Sequence, residues 1–409
     1  MTDAAGVAVI SVRIARNTPE FRRAALGLAT GGFAIFALLY CAQPLLPAFA
    51  HEFRITPAQS SLALSLPMTL MAVTMIATAS ISEVVGRRSI MIAALAGSAI
   101  ATLLLGFATQ WWQVVFLRGL MGVTLSGLPA VAMAYLADEM EPDAIGSAMG
   151  LYIAGSGLGG MTGRLVVSAL ADWGSWRTGL VAIGAFSLAS AVLFWYALPF
   201  SRNFRPQRSN LHSLIGGLAR ESRDPGLRLL VICAFVLMGA FVMIYNYIGF
   251  RLQQSPFGLS QTAVGFIFIV YLLGSFSSAW MGALATRYGR RRVFPAGLAL
   301  MAFGAGLTVF DNLAAIVVGM AAITSGFFGA HSVASSWVGL RATPGGRAQA
   351  ASIYLMCYYL GSAIIGWAGG YVWSAGGWPY VSSVAFGLIG TGLFCAALLG
   401  RVPPRPTQS

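Results

Sequence analysis

The 409-residue chain has no lysine and little charge of any kind. Only 9% of its residues are charged, and all 25 basic residues are arginine. A soluble domain carries about 25% charged residues. With 57% hydrophobic residues and a mean hydropathy of +0.77, this chain has too little polar surface to face water. Its solvent is expected to be lipid. Cysteine is scarce too. Cys41, Cys233, Cys357 and Cys395 each lie in an apolar run and form no CxxC, so buried reduced thiols are expected, with no disulfide framework and no metal. No Ser/His/Asp set, metal-ligand spacing or phosphate loop is present, which argues against an enzyme and against a cofactor. The first 20 residues hold Arg13, Arg16 and Glu20 and no apolar core, so no cleavable signal peptide is expected. The net charge of +13 would suit nucleic acid, but the arginines are scattered between apolar runs and form no patch.

What the chain does have is length in apolar runs. A helix crossing a bilayer needs about 20 such residues. Runs near 24–49, 58–82, 89–108, 112–136, 146–171, 177–199, 227–250, 261–285, 292–310, 313–339, 348–372 and 378–400 predict twelve spans. Pro44, Pro47, Pro67 and Pro129 fall inside spans and are expected to kink them. Orientation follows arginine bias. If both termini share one side, that side holds twenty arginines, including Arg87, Arg88, Arg205, Arg208, Arg287, Arg290 and Arg405. The other side holds Arg54, Arg177 and Arg251. Both termini are therefore expected in the cytoplasm, with Trp111 and Trp112 at the outer interface.

The second half echoes the first. Phe36-x3-Tyr40 matches Phe241-x3-Tyr245, and Gly86-Arg87-Arg88 matches Gly289-Arg290-Arg291. The glycine series Gly155-Ser156-x3-Gly160-x2-Gly163 matches Gly361-Ser362-x3-Gly366-x2-Gly369, and Gly174-x-Trp176 matches Gly376-x-Trp378. The offsets of 205, 203, 206 and 202 run in order. Six spans per half make the repeats parallel, related by an axis along the membrane normal, with a solute site between them near the midplane. The expected layout is a tail (1–23), a six-helix bundle (24–199), a cytoplasmic linker (200–226), a second six-helix bundle (227–400) and a short tail (401–409).

Several segments carry a resemblance. Ala79–Arg88, "ASISEVVGRR", is similar to the loop between helices two and three of the major facilitator superfamily, GxLaDRxGRR. Arg118-x-x-Met121-Gly122 resembles its fourth-helix RxxQG. The glycine series from Gly146 to Gly163, with Arg164, resembles its antiporter motif Gx8Gx3GPx2GG. "FALLYCAQPLLP", "NYIGFRL", "TRYGR" and "HSVASSWVG" resemble the YnfM-type and arabinose-efflux-like inner-membrane transport proteins. The sequence departs from these patterns in places. Glu83 stands for the loop aspartate and Thr286 for its counterpart in the second copy. Met121 stands for glutamine, while Gly160 and Arg164 stand for Pro and Gly.

The resemblance implies a transporter in the bacterial inner membrane, moving a small solute by alternating access. It also implies that Glu83 faces the N-terminus of helix eleven near Arg347, as a latch on the cytoplasmic side. Gly86, Arg87, Arg88, Arg287, Gly289 and Arg290 complete that gate, although arginines there also serve simply as topology signals.

Arg118 and Arg164 lie inside spans, where a charge costs several kcal/mol and marks a candidate site. Both are 23 residues from Glu141 in the loop between spans four and five, so they are expected at one depth. Helix carbonyls, Glu52, Asp172 or an anionic substrate are the candidate partners, and the role is either structural or in substrate and proton handling. None of the twelve acidic residues lies deep in a span. His331, inside span ten, is then a candidate proton carrier, or else a structural histidine. Tyr40, Gln43, Tyr245 and Asn246 occupy matching positions in spans one and seven and either line a cavity or pack helices. Gly155, Gly159, Gly160 and Gly163 are expected to let span five approach a neighbour closely.

The expected partners are a small solute, protons and the lipid bilayer, with the chain a monomer. Proton-coupled efflux is the leading expectation. A uniporter, an importer of a small organic anion, or a non-transporting membrane sensor are the alternatives.

Overall fold

A computed structural model describes residues 13–204, 211–343 and 345–403, which are almost entirely helical. Arg205, Arg208 and Arg405, counted above for orientation, lie outside them.

The first half opens with α1 (Pro19–Tyr40), whose free N–H groups begin to be met at Thr18, where Oγ1 accepts from Phe21 N at 3.1 Å. Pro44 cannot donate to a helical ladder, and a 3₁₀ turn over Gln43–Leu45 sets off α2 (Leu46–Glu52). The capping box of Thr56 and Gln59 starts α3 (Pro57–Val85). It is followed by α4 (Arg87–Leu105). Helices α5 (Trp111–Leu125) and α6 (Gly127–Glu139) share one rod interrupted at Ser126. Helices α7 (Pro142–Trp173) and α8 (Trp176–Ala197) complete the half. The linker contains α9 (Leu211–Glu221), a helix that the pattern of apolar runs does not announce.

The second half follows the same order. Helix α10 (Pro225–Gln253) leads to α11 (Gln261–Phe266), which a 3₁₀ turn joins to α12 (Tyr271–Tyr288). Then come α13 (Arg290–Leu307), α14 (Leu313–Arg341) and α15 (Arg347–Arg401). Helix α15 has 55 residues but is not one rod, because Gly376 and Gly377 leave the helical region, the latter with φ 62°.

Among the described residues, nine helical stretches have the length and apolarity of a membrane crossing, with the broken α15 counted once. The twelve spans expected from sequence are therefore not all matched on that criterion. Glycines and Arg164 dilute α7, and Arg290, Arg291 and Arg292 crowd the start of α13.

Two glycine features shape the packing. Along α7, a Cβ at Gly163 would lie 2.8 Å from Ala37 Cα, and Gly155 and Gly159 press still closer on the backbone carbonyls of Ala29 and Phe33. The α1 and α7 backbones are thus in direct contact. At the duplicated turns, Gly86 and Gly289 adopt φ 106° and 86° with ψ 137° and 143°. A side chain there would be strained, so both copies require glycine.

Candidate functional site

The two halves meet in a polar seam on the half of the bundle away from the termini. At its centre is Arg164 of α7, only 1% exposed. Its Nε donates to Gln43 Oε1 at 2.8 Å, one Nη to Gly160 O at 2.8 Å, and the other to the Tyr271 hydroxyl at 3.2 Å. Its guanidinium lies 4.1 Å from the ring centre of Tyr40, 4.5 Å from Tyr271 and 4.9 Å from Phe268. Tyr40 belongs to the first half, and Phe268 and Tyr271 to the second. Gln43 passes the network across the seam, its Nε2 donating to Asn246 Oδ1 at 2.8 Å. Asn246 is 2% exposed, and its Nδ2 has no partner among the described residues.

Arg118 also reaches the end of the first span, but it is satisfied differently. It donates to the backbone carbonyls of Leu38 at 2.9 Å, Leu39 at 2.7 Å and Ala63, and approaches Met121 Sδ at 3.2 Å. Three carbonyls of α1 and α3 are thereby stapled to α5. Neither arginine meets a carboxylate. Glu52 instead pairs with Arg177 at 2.7 Å and accepts from Trp176 Nε1. Asp172 accepts from the backbone N–H groups of Gln261 at 3.2 Å and Thr262 at 2.7 Å.

A run of rings leads from the seam into the second half. Tyr271 lies 5.8 Å from Phe241, which stacks on Phe327 at 4.0 Å, which stacks on His331 at 6.0 Å. The His331 ring contacts Tyr354 and Tyr358 at 5.6 and 4.7 Å, and its Nδ1 is 3.0 Å from the Tyr354 hydroxyl. Cys233 also lines the small gap beside it. Tyr245 backs the seam, its ring 5.6 Å from Phe268 and 5.1 Å from Tyr271, while its hydroxyl meets Thr324 Oγ1 of α14 at 2.5 Å. Nothing in the sequence singles out Tyr271, Phe268 or Tyr358. Tyr271 has Met68 in the corresponding place of the first copy, so the repeat gives no signal there.

At the face carrying the termini, the duplicated turns make contacts within their own halves. Arg87 pairs with Asp138, and Arg88 donates to Leu198 O at 2.9 Å while lying over Phe200. Arg290 reaches Ser336 Oγ at 3.2 Å, and Arg287 lies over Tyr288. Glu83 has neither a hydrogen bond nor an ion pair among the described residues, and Arg347 is exposed. The Glu83 latch is thus not formed in this conformation. A buried ion pair does occur nearby, between Arg341 and Asp224, with bonds of 2.6 and 2.9 Å.

The hydrogen bonds joining described residues of 24–199 to those of 227–400 all lie in the middle or far part of the bundle. They are Gln43–Asn246, Arg164–Tyr271, Pro44–Gln261 at 2.6 Å, Asp172 with Gln261 and Thr262, and Ser362 with Met68. A close backbone approach is there too, where a Cβ added at Gly370 would run into the Ala58 backbone. No group of three His, Cys, Asp or Glu able to hold a metal occurs among the described residues.

Two helical repeats that meet at a buried polar seam across a membrane define a solute transporter. The chain belongs to the major facilitator superfamily, whose model matches residues 26–255 and 252–409. It is 44% identical to the inner membrane transport protein YnfM of Escherichia coli (strain K12) over 382 residues, 93% of this chain and 91% of that one. It is 39% identical to the uncharacterized MFS-type transporter YybF of Bacillus subtilis (strain 168), over 97% of this chain and 98% of the other. The fold resembles that of a bacterial homologue of the human lysosomal transporter Spinster, in an inward-facing, unoccupied conformation. The TM-score is 0.74 at 17% identity, covering 94% of this chain and 96% of that one. It also resembles a mutant of the nucleoside transporter NupG, with a TM-score of 0.75 at 17% identity, covering 92% and 99%.

Proposed function

We propose that the protein is a secondary transporter that exports a small amphipathic solute by alternating access, driven by inward movement of protons. In this reading the chain crosses the bacterial inner membrane twelve times as a monomer, with both termini in the cytoplasm. The observation that carries the reading is the distribution of bonds between the halves. They close the face away from the termini, while the terminal face has no described hydrogen bond between the halves. A bundle closed at one end and unlatched at the other is one of the two states that alternating access requires. In the opposite state Glu83 meets the start of α15, which is why the latch is absent here.

Proton coupling is assigned to His331. It is an imidazole set within α14, whereas His51 lies exposed at the end of α2, and a chain of rings connects it to the seam. The partial fifth-helix motif supports the outward direction.

The test uses purified protein in liposomes, with counterflow of solutes first selected by a thermal-shift screen. An acidic lumen should drive solute accumulation, and His331→Gln should abolish that drive while leaving counterflow intact. Counterflow indifferent to the pH gradient would leave a uniporter. Ligand binding without any counterflow would leave a sensor.

A further inference from the structure

We infer that the Arg164 cage is the recognition site for the anionic head of the transported solute, an organic anion with an aromatic or otherwise apolar body. The inference rests on the transporter reading and names its substrate class.

The argument begins with the two buried arginines, which the fold treats oppositely. Arg118 spends its N–H groups on three main-chain carbonyls and a sulfur. Those acceptors belong to one half and stay with it whatever the halves do. Arg164 has five N–H groups and makes three hydrogen bonds, all to neutral acceptors. A buried cation without an anionic partner is costly, and its cost is lowered here by three rings. Two of those rings and the Tyr271 hydroxyl come from the other half. When the halves part at this seam, Arg164 loses them together. It is then a guanidinium at mid-depth with two hydrogen-bond partners left, Gln43 and Gly160, and with three N–H groups free. A carboxylate fits there, because the planar fork of guanidinium matches two oxygens side by side.

A second group points the same way. Asn246 Nδ2 is a buried donor with no acceptor among the described residues, on the residue that Gln43 bonds. An unmet buried donor costs about 1–3 kcal/mol. Arg164 and Asn246 are therefore donors in excess on both sides of one seam, and no described carboxylate of this protein reaches them. The surroundings supply the rest of the specificity. Tyr40 and Tyr271 lie against the guanidinium, with Phe36 beside Tyr40 at 6.1 Å and Phe328 beside Tyr271 at 5.7 Å, and all four are half-buried. Such a wall suits a flat or apolar body.

The test measures binding directly, apart from transport. Benzoate and 4-phenylbutyrate are compared with benzamide and 4-phenylbutyramide, their neutral counterparts, at fixed ionic strength. Thermal shift and intrinsic fluorescence of the full chain in lipid nanodiscs give the affinities. Both anions are expected to bind saturably and more tightly than their amides. Arg164→Gln should weaken the anions by about ten- to a hundredfold, the range for a hydrogen bond to a charged group, and leave the amides unchanged. Arg164→Lys keeps the charge without the fork and should lose about tenfold while still preferring anions. It decides the matter if the glutamine variant does not purify as a single species. Equal binding of anions and amides, absence of saturable anion binding, or loss of the preference in the lysine variant would each overturn the inference. Counterflow of neutral solutes with no anion binding would overturn it and leave the transporter reading standing. Anion binding that depends on Arg164 without counterflow would do the reverse.

Discussion

Asp172 ties the last turn of α7 to the first residues of α11, from one half to the other. Its carboxylate accepts from two main-chain N–H groups, at 3.2 and 2.7 Å. Hydrogen bonds to a charged group contribute about 1.5–3 kcal/mol when shielded from water. Asp172 is exposed, so solvent screening reduces the pair to about 1 kcal/mol. The bond exists only while the far face is closed. Asp172→Ala should therefore shift the closed-to-open ratio by about fivefold.

Nitroxide labels at the exposed residues Arg54 and Gln254, one in each half, report the shift as growth of a longer distance in the electron-spin distribution. The carboxyl also predicts a pH dependence. Burial raises its pKa, but hydrogen bonding with Thr262, Ser260 and Gln261 outweighs burial and holds it below the usual carboxylate value. A depressed acid stabilises the closed state above the ordinary carboxylate range near 4, and that stabilisation is lost as the pH falls through the depressed value. The wild type should open at the far face on strong acidification, and Asp172→Asn should flatten the response. A distance distribution unchanged by Asp172→Ala would refute the idea that this contact holds the face shut.

Other expectations concern packing and the terminal face. Gly159→Val places a branched side chain on the Phe33 carbonyl and should destabilise the chain by about 1–3 kcal/mol, seen as a lower melting temperature in detergent. Arg118→Lys cannot reach three carbonyls with one point charge. It should cost about 2 kcal/mol of stability while leaving ligand affinity of the surviving protein unchanged. Glu83→Gln should slow transport at normal membrane abundance and favour the state open at the terminal face. Unchanged transport at equal abundance would remove the latch.

Much of the fold was legible because lipid imposes a simple rule: apolar runs become helices, and the helix limits fall close to the runs. The turns at Gly86 and Gly289 were legible for a similar reason, since a positive φ demands glycine in both copies. The site was legible only in part. Arg118 and Arg164 stood out as charges in apolar runs, and both reach the end of the first span, as their equal spacing from Glu141 requires. Their different fates could not be read, because these depend on which helices face them. Tyr271 and Phe268 reach Arg164 from the other half, and no local pattern announces that meeting. Gly370, the repeat counterpart of Arg164, shows how the symmetry broke. It lies against the Ala58 backbone, where no side chain fits. The linker helix α9 went unseen because eleven residues with arginine nearby read as a loop.

The bond between Gln43 and Asn246 joins positions 203 residues apart, two short of the interval of 205 that relates Tyr40 to Tyr245. The halves therefore meet here out of register, each amide against a near neighbour of its own counterpart. A carboxamide carries both donor and acceptor, so this junction holds without a charge on either side. Arg164 has Gly370 at its counterpart position, so its charge travels with the first half alone. The two halves are thus unequal carriers: whatever binds that cation moves with the first.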